Sequence, residues 1–381
     1  MTKIYSNKII IGNELLDGFV YIENGKIIEV SQEEKRADIC YNFKDRYLSA
    51  GFIDMHTHGA GGYAFADSTP EEVAMGCDFH LKNGTTTIVP TVSASEFNAM
   101  KRSVQNIHIA KTNSLSKANI LGAHLEGPYL SVEQCGAQCP SFITAPIDEE
   151  YKEIIREYSS SISRWTYAPE NDLEGKFCHY LTEHGIIASA GHTNAKYGDM
   201  KIAIKNGCNL ITHLYSCTST ITRDHGFRSL GVIESAYLCD ELFVEIIADG
   251  KHLPPELIQM IIKLKGSDKV ALITDSLEVA GADIKEGVMC GTEYIVEDGV
   301  AKLKDRSAFA GSVATADLLI RTLVFDCGYS LPESVKMLTE IPARIMNLNK
   351  GRIAAGFDAD LIIFDEKINV SDVFVGGNKI I

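Results

Sequence analysis

The sequence predicts an α/β chain: a (β/α)8 barrel of the TIM type, flanked by a small β-sandwich domain assembled from both chain termini. Three observations carry this. Between residues 51 and 347, short apolar runs alternate with helical stretches, the pattern of parallel strands joined by crossover helices. Eight such runs can be counted, the number that closes a barrel. Strand-like segments with tight-turn residues flank that stretch at both ends.

In chain order, Lys8–Gly12, Phe19–Glu23 and Lys26–Val30 read as strands, the last two joined at Asn24-Gly25, a dipeptide that suits a two-residue hairpin. Asp360–Asp365 and Val373–Val375, turning at Gly376-Gly377 into Lys379–Ile381, are their counterparts. Residues 1–50 and 348–381 are therefore assigned to the sandwich and 51–347 to the barrel. The barrel strands are read at Gly51–Asp54, Thr85–Val89, Ile120–His124, Arg164–Tyr167, Ile186–Ala190, Leu210–Thr212, Phe243–Ile247 and Val270–Ile273. Thr69-Pro70-Glu71-Glu72 supplies an N-cap, a first-turn proline and a capping-box glutamate, and Asn83-Gly84 stops that helix. Ser330-Leu331-Pro332-Glu333 repeats the start signature, and Tyr294–Ala301 reads as a hairpin inserted after the eighth strand.

Bulk properties narrow the function. A formal charge of −15 argues against nucleic acid or an acidic membrane surface as partner. No run of about 18 apolar residues predicts a membrane-spanning helix. Ten scattered cysteines and a start, Met1-Thr2-Lys3, without an apolar signal run suit free thiols in a reducing cytoplasm. Cys135 and Cys139 have no second pair at zinc-ribbon spacing.

In a closed α/β barrel, functional groups gather at the carboxyl ends of the strands. Strand one ends at His56 and His58, strand three at His124 and Glu126, strand five at His192, strand six at His213, strand seven at Asp249 and His252, and strand eight at Asp275. A single histidine at a strand end more often packs than ligates; recurrence of ionisable ligand-type residues at one end of six strands points to a metal site. Glu126 lies between an apolar strand and a Gly-Pro turn, where a carboxylate is costly unless paired or metal-bound. Asp275 closes an apolar strand, where helix capping is the plain alternative to proton transfer beside a metal-activated water. His124 and Asp249 are read as groups that orient a ligand. His80, His108, His179, His184 and His225 lie in helix or loop stretches and are read as surface or packing residues.

The motifs Gly51-Phe52-Ile53-Asp54-Met55-His56-Thr57-His58-Gly59, His124-Leu125-Glu126-Gly127-Pro128, Ala190-Gly191-His192-Thr193-Asn194-Ala195, Thr212-His213-Leu214-Tyr215, Ile247-Ala248-Asp249-Gly250-Lys251-His252-Leu253 and Leu272-Ile273-Thr274-Asp275 occur in this order. Together they resemble the N-acetylglucosamine-6-phosphate deacetylases of the amidohydrolase superfamily, over essentially the whole chain. The resemblance implies metal-dependent deacetylation of N-acetylglucosamine 6-phosphate to glucosamine 6-phosphate and acetate in amino-sugar catabolism, in a cytoplasmic homodimer. It implies Glu126, His192 and His213 as principal ligands of a divalent metal (Zn, Fe, Mn or Co). His56 and His58, with Glu126 bridging and Asp275 nearby, would form a second metal position, and Asp275 would carry the proton. The implied substrate residues are Ala137, Gln138, Ser216, Cys217, Arg223, Gly250, His252, Phe309, Ala310 and Gly311.

The chain departs from the family pattern in two segments. Thr-His-Leu-Phe/Tyr-Asn-Ala-Met becomes Thr212-His213-Leu214-Tyr215-Ser216-Cys217-Thr218, and Arg-Glu-Pro-Gly becomes Arg223-Asp224-His225-Gly226. Gln138 stands where histidine is common and is offered to the neighbouring subunit in dimeric members. These changes leave open an amidohydrolase acting on a different N-acylated amine, another N-acetyl sugar or an N-acyl amino acid. A non-enzymatic binding protein on this scaffold would have lost a member of the metal set or Asp275, and all are present.

Overall fold

A computed structural model describes residues 1–289 and 291–381; Cys290, one of the cysteines expected as a free thiol, lies outside the described residues. The barrel strands are β1 (Phe52–Thr57), β2 (Thr85–Ser93), β3 (Ala123–Glu126), β4 (Ile162–Tyr167), β5 (Ile187–Ala190), β6 (Leu210–Ile211), β7 (Phe243–Ile247) and β8 (Val270–Ile273). Each pairs in parallel with the next, from β1 through to β8. All residues of β1, β2 and β8 are buried, as strands covered on both faces must be, which is why they read as unbroken apolar runs.

The third strand differs from its expected span. Asn119–Ile120 pairs with β2 as a separate piece, and β3 restarts at Ala123. The break is at Gly122, where φ is 143° and a Cβ would sit 2.8 Å from the Ser161 backbone. The restart carries His124 and Glu126 within the strand, on one face of its pleat.

Between β8 and β1 the barrel closes through individual bonds rather than a regular ladder. Asp275 N–H donates to the His56 carbonyl at 2.9 Å, and His58 N–H donates to the Ser276 carbonyl at 2.8 Å. The Thr274 hydroxyl donates to the Asp54 carboxylate at 2.6 Å.

The termini form one eight-stranded sheet in which Thr2–Ile11 pairs with Glu14–Glu23, Ile39–Asn42 and Tyr47–Ala50. Leu361–Phe364 joins it antiparallel to Tyr47–Ala50, so the two chain ends share one sheet. At its hairpins, Asn24 and Gly25 have φ of 50° and 76°, the left-handed pair that a two-residue turn needs. Alternation divides the C-terminal strand between two cores: Leu361 and Ile363 pack within the terminal sheet, and Ile362 and Phe364 join the barrel core. After β8, Glu286–Met289, Thr292–Glu297, Val300–Leu303 and Phe309–Gly311 form an antiparallel sheet that includes the expected hairpin. Among the described residues, no helix is long and apolar enough to cross a membrane, and the nine described cysteines are free.

The helix Pro70–Lys82 starts on the expected capping box, with reciprocal Thr69 and Glu72 bonds of 3.3 and 2.8 Å. Its buried face, Val73, Cys77, His80 and Leu81, follows helical spacing. His80 does not stay away from the strand tips, as the sequence suggested. Its Nε2 lies 3.0 Å from Thr57 Oγ1, 3.2 Å from the Gly59 carbonyl and 3.4 Å from Ser276 Oγ, tying the ends of β1 and β8 together. Burial lowers its pKa to about 4. The unfolded chain therefore binds this proton first as pH falls, and stability is lost below about 6.5, the unfolded value. Between pH 6.5 and 5 this amounts to about 2 kcal/mol. Urea unfolding across that window should show a shallower pH slope in His80→Gln than in the wild type; equal slopes would contradict a neutral buried His80.

Candidate active site

The pleat of β1 turns Asp54 and His56 to the same side, and His58 follows two residues on. Glu126 ends β3, and His192, His213 and Asp275 each stand two residues past β5, β6 and β8. These last three have φ of 46°, 28° and 47°, in the left-handed region. A non-glycine residue there costs on the order of 1 kcal/mol or more, and such positions cluster where surrounding contacts over-determine them. Here the contacts are those of the site itself.

Glu126 is the centre of the cluster. Its Oε1 lies 3.0 Å from His213 Nε2, 3.2 Å from His192 Nε2 and 3.4 Å from His56 Nε2, while Oε2 lies 3.1 Å from His58 Nε2. Asp275 Oδ1 is 3.3 Å from Nε2 of both His56 and His58. Two candidate metal triads result, His56–His58–Glu126 and Glu126–His192–His213, sharing the carboxylate and buried throughout.

The outer ring nitrogens show what the inner ones present. His192 Nδ1 lies 2.9 Å from the Gln134 carbonyl, and His213 Nδ1 lies 3.1 Å from the Ser216 carbonyl. A carbonyl only accepts, so Nδ1 carries the proton and Nε2 carries the lone pair. Those two lone pairs face each other at 3.2 Å, both beside a carboxylate oxygen. Such a set repels itself unless a cation sits among it, and imidazole with carboxylate is the donor chemistry of a divalent transition metal.

The local field agrees. Burial opposes charge on His56, but the Glu126 and Asp275 carboxylates outweigh it and raise its pKa to about 10. Burial likewise opposes ionisation of Glu126, yet the surrounding imidazoles hold it well below the usual carboxylate range. Asp275 is also lowered: burial works against its charge, and His56 and His58 prevail. The cluster is built to hold positive charge.

Supporting contacts separate the remaining residues. Gln138 donates Nε2 to Glu126 Oε2 at 2.8 Å and accepts from Ala94 N–H at 2.9 Å, so both ends of its amide are engaged within its own chain. His124 bonds Thr91 and Thr166 through its two nitrogens and stands edge-on to His56 at 4.5 Å, a packing role rather than a ligand's. Asp249 accepts from His252 Nδ1 at 2.9 Å and from two backbone N–H groups, and so fixes the His252 ring, which meets Phe309 at 4.9 Å. Below His56, Arg164 from β4 and Glu245 from β7 form a fully buried ion pair that the sequence reading did not find. Both residues sit inside strand runs, and their separation of 81 positions in the chain hides the pairing.

A cavity of about 270 Å³ opens onto His58, Glu126, His192, His213 and Asp275. Ala137, Gln138, Ser216, Cys217, His252, Phe309, Ala310 and Gly311 line it, as do Tyr215, Met289 and Ala308, which the sequence did not single out. Tyr215 stands beside His213 in a quoted motif, and that adjacency was the available signal. Two expected substrate residues do not line it. Gly250, with φ of 70°, turns the chain between Asp249 and His252. Arg223 is exposed on the hairpin Thr222–Asp224 and Phe227–Ser229, whose two strands pair with each other.

Comparison with known proteins places the chain in a family. The profile of the amidohydrolase family matches residues 47–380. The N-acetylglucosamine-6-phosphate deacetylase of Haemophilus influenzae is 32% identical over 96% of this chain and 95% of its own. That of Bacillus subtilis is 31% identical over 97% and 94%. A variant of N-acetyl-D-glucosamine-6-phosphate deacetylase from Mycobacterium smegmatis, solved in complex with N-acetyl-D-glucosamine-6-phosphate, superposes with a TM-score of 0.92 at 28% identity, covering 100% of this chain and 99% of that one. The chain belongs to the amidohydrolase family of metal-dependent hydrolases.

Proposed function

We propose that the protein hydrolyses the acetamide of N-acetylglucosamine 6-phosphate, yielding glucosamine 6-phosphate and acetate, as its relatives' names imply. The observation that carries this reading is the convergence of four imidazoles and Asp275 around Glu126, with His58, Glu126, His192, His213 and Asp275 facing one cavity. Glu126, His192 and His213 would hold one divalent ion, and His56 and His58 with the same carboxylate would hold a second; Zn, Fe, Mn or Co suits such donors. A divalent ion bound there supplies Lewis acidity, which acidifies water and polarises an amide carbonyl.

The chain's own groups do the rest. Asp275, kept ionised by its neighbours, accepts the proton of the attacking water and returns it to the leaving nitrogen. His252, fixed through Nδ1 by Asp249, leaves its Nε2 edge for a substrate oxygen. Arg223 is the proposed partner of the 6-phosphate, because a guanidinium matches phosphate geometry. Its hairpin follows the cavity-lining turn at 215–217 and exposes Phe227 at 80% and Ile221 at 52%. That apolar surface supports pairing with a second copy of the chain in a homodimer. Free cysteines support a reducing, cytoplasmic setting.

Metal-loaded protein should release acetate from N-acetylglucosamine 6-phosphate much faster than from N-acetylglucosamine; release from neither would overturn the assignment. Asp275→Asn should keep its metal content and lose on the order of 10²- to 10⁴-fold in kcat. Near-normal turnover would remove Asp275 from proton transfer. Arg223→Ala should raise KM for the phosphorylated substrate and leave the unphosphorylated one unchanged, whereas equal effects would place the phosphate elsewhere.

A further inference from the structure

We propose that Glu245, clamped by Arg164 across the barrel interior, is the positioning residue for His56 and so decides whether a second divalent ion joins the first. The inference rests on the reading of the histidines and Glu126 as metal ligands.

Three of the four histidines have a hydrogen-bond partner on Nδ1: a carbonyl for His192, a carbonyl for His213 and the Ser93 hydroxyl at 3.0 Å for His58. His56 is the exception. Its ring is fully buried and its Nδ1 has no hydrogen-bond partner. An unmade bond at such a site costs on the order of 1 to 3 kcal/mol, so the absence needs a reason. Glu245 Oε2 faces that nitrogen at 3.7 Å, about 0.8 Å beyond a good hydrogen bond.

Glu245 is placed to complete that bond. Arg164 engages both of its oxygens, one through Nη1 and the other through Nη2 at 3.1 Å. The guanidinium is itself pinned by Ser189 Oγ at 3.1 Å, Thr212 Oγ1 at 3.0 Å and the Met55 carbonyl at 3.3 Å. Oε2 keeps a second lone pair for His56 Nδ1–H. A charged acceptor behind a ligand imidazole fixes its tautomer and strengthens Nε2 as a donor. A small approach of the ring towards Glu245 would satisfy Nδ1 and set Nε2 for an ion shared with His58 and Glu126. Glu245 does not line the cavity, so its influence on the reaction passes through His56.

The test is titration of the metal-free protein with Zn²⁺ against a chromophoric chelator. Wild type should take up two ions. Glu245→Gln should weaken the second by about 10- to 100-fold and leave the first, held by Glu126, His192 and His213, within about twofold. Because that variant leaves Arg164 without its charge partner, the double replacement Arg164→Met with Glu245→Leu removes both charges together and should give the same selective loss. Wild-type affinity for the second ion in either folded variant overturns the proposal. Equal weakening of both ions, or failure of both variants to fold, assigns the pair to the scaffold and overturns it as well. A wild type that binds one ion overturns the inference and leaves single-metal hydrolysis standing; a wild type that binds none overturns the site reading too.

Discussion

A carboxylate buried at a barrel mouth and faced by four imidazole nitrogens is the constraint on which the rest of this structure depends. Glu126 cannot stay charged in a dry interior without compensation, and its compensators come from β1 and from the turns after β5 and β6. In the strand order, β1 lies two strands from β3, and β5 and β6 lie two and three strands away on its other side. In a flat sheet with strands about 4.8 Å apart, the tips of β1 and β8 would be about 34 Å from each other. In this molecule Asp275 and His56 approach to 3.3 Å. Only a closed barrel puts Asp275 beside His56 and His58, so fold and site are one requirement.

Closure is accordingly built from the site's own neighbours. Where β8 meets β1, the Asp54 carboxylate takes the Thr274 hydroxyl, and His56 and Asp275 share a backbone bond. Burial raises the Asp54 pKa to about 6, while the bonds from Thr274 and from the His56 N–H hold it down. His80 bridges Thr57, Gly59 and Ser276 from the helix outside. A change at this seam would displace His56, His58 and Asp275 together, because all three lie within two residues of the bonds that close it.

The eight-strand pattern and the polar strand tips were legible in the sequence for a physical reason. Strands buried on both faces leave uniform apolar runs, so the first ionisable residue after each run marks the barrel mouth. The hairpin at Asn24-Gly25 was legible because its turn chemistry is local. Partners distant in the chain were not. Nothing in β4 or β7 announces that Arg164 and Glu245 meet, or that the Gln138 amide turns onto Glu126. Periodicity shows which face a residue occupies but not what lies opposite. Arg223 is a related case: its hairpin pairs strand to strand, and no local pattern says how far such a segment stands from the cavity.

The altered 216–218 segment shows how the site tolerates change. His213 is oriented by the carbonyl of Ser216, and His192 by the carbonyl of Gln134. Any side chain at those two positions presents the same carbonyl, provided the turn is kept. The turn is held by packing: Cys217 is left-handed at φ of 49°, and its sulfur lies so close to Gly136 that a Cβ there would come within 2.6 Å. Gly136 and Cys217 therefore fit as a pair, joining the loop after β3 to the turn after β6. With both rings held by backbone carbonyls, the side chains of Ser216 and Cys217 are left to shape the cavity wall. Ring orientation and cavity shape can then vary separately, although both are set by one short segment.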